Sequence, residues 1–254
     1  MKILISSNSR QFIAACCVWA MGVVAFGDEA SERSKLADVR LIEQPNSISI
    51  KRGEKTVLVY NKESLPVPEG MDPRYNRSGF LHPVASPSGR VVTATFPKDH
   101  PHQHGIFSAW VNTTFDGRKI DFWNLLGGTG RVVHEKVIST TDDKSGIGFK
   151  VDLLHRTEGD KPIDVLRERW KITLVSTSDD FNCFDMESTQ TALTEIPLIV
   201  HKYHYGGMVL RGPVAWLNEK SQNAKVQAAA ASRFVNDHGS NRRKAIKNTR
   251  SGSR

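Results

Sequence analysis

From residue 38 to residue 215 the chain repeats one kind of unit, a run of alternating apolar and polar residues closed by a cluster of turn formers. Alternation with period two puts every second side chain on one face, the pattern of a half-buried β-strand. Residues 39–43 begin the series, and residues 47–51 and 55–60 form a hairpin around Arg52-Gly53. A Pro/Gly-rich loop follows, then strand-like runs at 79–84 and 90–96 joined through Pro87-Ser88-Gly89. The runs 106–115 and 119–125 flank Asp116-Gly117, the strongest short hairpin signal in the chain. Longer alternating runs occupy 131–141, 146–155, 163–176 and 181–192, separated by TDDKSG, TEGDKP and STSDD. With no sustained 3.6-residue period and no internal repeat, these runs predict an all-β fold, a single antiparallel β-sandwich over 38–217. The one helical candidate is 218–234, whose alanines favour helix but offer little apolar surface to bury.

The first 27 residues have the layout of an export signal. Lys2 and Arg10 precede an apolar run at 12–26, and Ala25-Phe26-Gly27 supplies small residues before acidic Asp28-Glu29. The run is shorter than the roughly 20 residues a membrane span needs, and no comparable run follows. The expectation is a cleaved leader at 1–27, a linker at 28–37 and a periplasmic or extracellular protein. Lipid anchoring at Cys16 is disfavoured because the apolar run continues past that cysteine, whereas a lipoprotein leader places its apolar segment before it. Cleavage leaves Cys183 as the only cysteine, with no internal disulfide, and its strand-like context predicts a buried structural thiol.

The formal charge of +8 does not describe a nucleic-acid-binding face. Lys2 and Arg10 account for +2 and residues 233–254 for +6, so the body is neutral. The expected partner is therefore a small molecule or oligosaccharide, with no nucleic acid and no membrane span. The segment 218–254 reads as a basic, weakly structured tail.

The chemistry-bearing residues gather in four stretches: 75–83 (YNRSGFLHP), 99–110 (DHPHQHGIFSAW), 121–123 (DFW) and 201–211 (HKYHYGGMVLR). Six of the nine histidines lie in them, with His134 a little downstream. If the 99–110 stretch is extended, His100, His102 and His104 project to one side and converge. Flat aromatics (Trp110, Trp123, Tyr203, Tyr205) suit the apolar face of a sugar, while Arg77, His82, Asp121 and Arg211 suit its hydroxyls. Imidazole titrates near neutrality, so His100, His102, His104, His201 and His204 are candidate acids and bases. This leading reading is a carbohydrate-active or carbohydrate-binding protein that needs no cofactor, with epimerase- or glycoside-hydrolase-like proton transfer as its chemistry. A non-catalytic accessory module is one alternative, in which the aromatics matter and the histidines do not. The other is a single zinc, copper or iron ion on His102, His104 and His201. The glycines at 127–130 lack a following Lys-Ser/Thr and a helix, so a connecting turn is expected there rather than a phosphate loop. Trp170 and Trp216 are expected in the core.

The segments RSGFLHPVASPSGRVVT, DHPHQHGIFSAW, DFWN and HKYHYGGMVLRG resemble a bacterial family that carries the label methane oxygenase PmoA, over roughly residues 40–215. Its most specific part is the H-P-H-x-H/R-G stretch followed by a tryptophan, where His104 stands at a position commonly arginine. Genuine methane monooxygenase subunits of that name are polytopic membrane proteins, so methane oxidation is not expected here. The resemblance implies a secreted sandwich similar to the galactose-mutarotase-like supersandwich. It also implies further strands after Trp216, where this chain has its basic tail, and thus a C-terminally truncated or frameshifted member.

Overall fold

The protein is described by a computed structural model that covers residues 3–5, 36, 38–143 and 145–216. Two compact units divide the chain, Met1–Arg211 and Gly212–Arg254. In the second, residues 212–216 are described and include the 3₁₀ turn Val214–Trp216, where the Trp216 amide donates to the Pro213 carbonyl at 2.9 Å. Apart from Ile3–Ile5 and Leu36, the expected leader (1–27) and linker (28–37) lie outside the described residues, as do the helical candidate and the tail (218–254). Leu36 is buried in the core, which therefore takes in the last part of the expected linker.

The first unit is an antiparallel β-sandwich of three sheets. Six strands, β2 (Val39–Gln44), β3 (Ser47–Arg52), β4 (Lys55–Asn61), β5 (Phe80–Val84), β6 (Ile106–Ala109) and β14 (Gly207–Leu210), form one sheet in the order β14-β6-β5-β4-β3-β2. The long strands β9 (Gly130–Asp143), β10 (Gly146–Thr157), β11 (Asp164–Thr177) and β12 (Asn182–Ala192) form a meander in the order β12-β11-β10-β9. A small sheet carries β1 (Ile3–Ile5), β13 (Leu198–Val200), β7 (Thr113–Phe115) and β8 (Arg118–Ile120). Among the described residues no helix is long and apolar enough to cross a membrane.

The alternation seen in the sequence sets the faces of the long sheet. Register places Val151 opposite Trp170 and Phe149 opposite Ile172, all buried, and these rings and branches meet Tyr60 of the six-stranded sheet at 5.6 Å (Phe149) and 6.2 Å (Trp170). Each such apolar side chain taken out of water stabilises the fold by roughly 1.5–3 kcal/mol. The opposite face carries ion pairs across strands, Arg169 with Asp152 at 2.7 Å and Lys171 with Glu187 at 2.6 Å.

One carboxylate lies on the inner face. Glu168 of β11 is fully buried; its Oε2 lies 2.8 Å from His155 Nε2, and its Oε1 accepts from Trp170 Nε1 at 2.8 Å and Ser188 Oγ at 2.6 Å. Burial by itself would raise the carboxyl pKa, but the bonds from His155, Ser188 and Trp170 carry it from the ordinary 4.5 down to about 2. Such a group holds three strands together because its removal orphans the buried His155 and Trp170 donors and frees the Ser188 hydroxyl.

Four expectations require correction. Residues 90–96 form no strand; the segment is held by isolated bridges Ala85↔Val91 and Thr95↔His104. The run 106–115 is two strands in different sheets, because the chain leaves the six-stranded sheet at Trp110 and joins the small sheet at Thr113. Cys183 is exposed: Phe184 and Met186 of β12 pack on the core, and period two turns Cys183 the other way. Trp216 is exposed in its 3₁₀ turn, while Trp170 is fully buried as expected. The glycines at 127–130 make a connecting turn, with Gly128 closing the 3₁₀ turn Leu125–Gly127 in the left-handed region at φ 58°.

Gly105 fixes the approach of β6 to β5. Its φ is +51°, and an added Cβ would overlap the Leu81 carbonyl oxygen. Gly105→Ala should therefore lower stability by more than about 2 kcal/mol, read as a lower urea midpoint. Glu168→Ala should cost about 3–5 kcal/mol in the same measurement. The stability Glu168 contributes is complete above pH 4.5 and is lost as pH falls toward its folded value of about 2. Across that window the wild-type urea midpoint should fall more steeply than that of Glu168→Gln.

Candidate functional site

Two chain segments change sheets side by side. Trp110-Val111-Asn112 links β6 to β7, and residues 201–206 link β13 back to β14. The His201 amide donates to the Asn112 carbonyl at 2.9 Å, tying the two crossings together. Between them opens a cleft of about 360 Å³ lined by Trp110, Asn112, His201, Tyr203, His204 and Tyr205 among others. Backbone that leaves a sheet edge exposes side chains which a continuous strand would turn into the core, and this is how the cleft arises.

The aromatic wall is built locally. Gly206 and Gly207 have φ of +140° and +83° and lie against the Trp110 indole, where an added Cβ would sit 3.6 Å from ring atoms. Trp110 Nε1 donates to Gln190 Oε1 of β12 at 3.1 Å, fixing the ring's orientation. Tyr203 and Tyr205 are 45% and 42% exposed, with ring centroids 5.0 Å apart, and His204 packs on both at 4.3 and 4.5 Å. Tyr205 also meets Trp123 at 5.1 Å, whose other neighbour is Phe107 at 4.8 Å. Burial, then a bond with Tyr203 and the Asp121 charge, raise the Tyr205 hydroxyl above its usual range.

The histidine stretch is not extended. Turns closed by the His100 amide to Pro97 and the Gln103 amide to His100, at 3.1 and 2.9 Å, break the alternation. His100 and His102 stay together with rings 5.8 Å apart, while His104 enters the core between Phe80 and Phe96. Both His104 nitrogens are taken, Nδ1 2.6 Å from Thr95 Oγ1 and Nε2 3.0 Å from the Tyr75 carbonyl. Burial, then Arg77, push its pKa down to about 3. The expected catalytic role for His104 is thus corrected to a structural one: the ring is sealed from any ligand. The metal alternative loses its geometry with it. Among the described residues no group of three His, Cys, Asp or Glu is placed to hold a metal, so His102, His104 and His201 do not converge. His201 Nε2 lies 2.8 Å from Thr114 Oγ1 at the cleft.

His102 is half-buried, and burial followed by the charges of Arg77 and His100 lowers its pKa to about 4, with Asp121 opposing. It is a neutral proton acceptor at pH 7. Arg77 is fully buried beneath this group; its Nη2 reaches the Phe122 and Trp123 carbonyls at 3.4 and 3.3 Å, and its guanidinium lies 4.6 Å from the Phe107 ring centre. Burial, then Arg131, bring its pKa down to about 9, so it stays charged at neutral pH. Asp121 caps its own turn, accepting from the Trp123 and Asn124 amides at 2.8 and 2.9 Å. Arg211 donates to Gln103 Oε1 at 3.0 Å and to Asp99 Oδ1 at 2.6 Å, and Asp99 Oδ2 lies 2.9 Å from His100 Nδ1. Burial works against the Asp99 anion, but these two partners hold its pKa below the usual range. His82 Nδ1 lies 2.9 Å from Thr93 Oγ1.

The structure thus gathers Trp110, His201, Tyr203, His204 and Tyr205 around the cleft, and Arg77, His100, His102, Asp121 and Arg211 in a charged group beside it. Trp123, expected to stack on a ligand, is instead buried in the core behind Tyr205, because its ring packs on Phe107. Sequence reasoning missed Gln103 and Gln190. Gln103 sits between the histidines and was within reach of inspection; Gln190 comes from β12, 80 positions from Trp110, and had no local signal.

A family model matches residues 47–253, a span that takes in nearly all of the basic segment after residue 217. No curated protein and no solved structure matches the chain. With most of its length matched, the chain belongs to DUF6807, a family of unknown function.

Proposed function

We propose that the protein is an exported carbohydrate-recognising protein whose ligand lies in the cleft at the sheet crossings. The observation that carries this reading is the aromatic group of exposed Tyr203 and Tyr205 with half-buried Trp110 at a cleft of about 360 Å³. Small-molecule sites occupy roughly 300–1,000 Å³, and large exposed aromatics in a cluster are a mark of recognition surfaces. Sugars offer apolar ring faces to such side chains and hydroxyls to His201, His204 and His102. Export rests on the leader-like residues 1–27. The resemblance to the PmoA-labelled family, with its mutarotase-like sandwich, agrees by analogy of fold alone. For chemistry, His102 is the proton acceptor, since it is neutral at pH 7 and stands with His100 at the mouth of the charged group.

Neutral and acidic mono- and oligosaccharides screened by thermal shift and calorimetry should include a binder. Trp110→Ala and Tyr205→Ala should each weaken it by roughly tenfold or more, while Tyr205→Phe retains affinity. Silence across the whole panel would sink the reading. Where a bound sugar is turned over, the rate should hold from pH 7 to about pH 5 and fall as pH approaches 4, where the His102 imidazole takes up a proton. His102→Gln should lower kcat far more than it changes KM. A rate that tracks a group near pH 6.5 instead would assign the proton transfer elsewhere.

A further inference from the structure

We propose that the charged group next to the cleft selects acidic sugars, saccharides whose ring carries an oxyanion such as a uronate carboxylate. This deepens the carbohydrate reading and rests on it. Three buried N–H groups here lack a hydrogen-bond partner among the described residues: Arg77 Nε, Trp123 Nε1 and Arg211 Nε. All three are donors. The other unpartnered buried atoms, Glu158 Oε2 and His155 Nδ1, belong to the Arg131–Glu158 pair and the Glu168 network.

The charges lean the same way. Arg77 has only carbonyl oxygens beside its guanidinium, at 3.3 and 3.4 Å, and no carboxylate in ion-pair contact among the described residues. Both nearby carboxylates are engaged within the protein, Asp99 by Arg211 and His100, and Asp121 by the Trp123 and Asn124 amides and Asn124 Nδ2. A surplus of unpaired donors, in a group whose carboxylates are already engaged, calls for an acceptor-only ligand group. A hydroxyl brings its own proton and must alternate donor with acceptor, whereas a carboxylate or sulfate accepts at every oxygen. The half-buried His102 and the exposed His100 stand where such a group would arrive, with the arginine charges behind them. The depressed His102 pKa comes first from burial and only then from the neighbouring Arg77, His100 and Arg211.

The test compares three probes of equal length on the full chain by calorimetry: a neutral oligosaccharide, an oligouronate and a sulfated oligosaccharide. The oligouronate or the sulfated probe should bind roughly tenfold or more tightly than the neutral one, and the advantage should shrink between low and high salt. Which of the two is preferred identifies the oxyanion. Arg211→Gln, checked for an unchanged fold by circular dichroism, should abolish the preference. His102→Gln, which leaves the Arg211–Asp99 pair intact, should reduce it. Equal or tighter binding of the neutral probe, or a preference that survives Arg211→Gln, overturns the proposal and leaves the carbohydrate reading standing. Absence of binding by all three overturns both.

Discussion

Everything at the candidate site depends on two strands leaving their sheets at the same level. Had β6 run on through Trp110 to Phe115 as one strand, the indole and the residues after it would have alternated between core and solvent. The break instead sends β7 into the small sheet, and β13 returns to β14 across the gap, with the His201–Asn112 backbone bond joining the two crossings. The Asp116-Gly117 hairpin then carries the chain back through β8 to the Asp121 turn, where the Phe122 amide donates to the Trp110 carbonyl at 3.0 Å. Side chains more than ninety positions apart in sequence, such as Trp110 and Tyr205, are neighbours for this reason alone.

Two buried charges are satisfied to very different degrees. Glu168 receives bonds from three side chains on β10, β11 and β12, and its charge is fully answered inside the sandwich. Arg77 lies equally deep but has only long contacts to carbonyls and the Phe107 ring, with its Nε unbonded. A folded chain that can satisfy one buried charge so completely has the means to satisfy the other. That it leaves Arg77 under-satisfied is what distinguishes the two.

The long strands were legible because period two leaves a one-sided burial pattern, and 131–141, 146–155, 163–176 and 181–192 each fell inside one observed strand apart from end residues. Legibility failed where alternation persisted across a sheet change, as in 106–115, since the same pattern serves both sheets and only tertiary pairing ends the strand. Residues 90–96 failed for the opposite reason: the segment is anchored through Thr93, Thr95 and single bridges, so its alternation is not paired out into a ladder. Cys183 was misread because composition argued for burial while parity within β12 turned it outward. At the site, residue types identified the right stretches, but which ring nitrogens remain free is set by partners such as Thr95, Thr114 and the Tyr75 carbonyl, which carry no motif.

The histidine triplet shows how one spacing can serve two purposes. In an extended chain His100, His102 and His104 would share a face, but the turns at 97–103 divide them, and the third ring becomes a bracket between the 95 strand-like segment and the Tyr75 loop. An apolar residue there would leave the Tyr75 carbonyl and the Thr95 hydroxyl without their partner in the core, so a polar ring is the economical filling. Held at a pKa of about 3, that ring stays neutral under all ordinary conditions and transmits position rather than protons. It seats Gly105, whose backbone bonds Ala94 on one side and Arg211 on the other at 2.7 Å each. The outward histidines and the arginine that would meet a ligand are thereby fixed by the inward one.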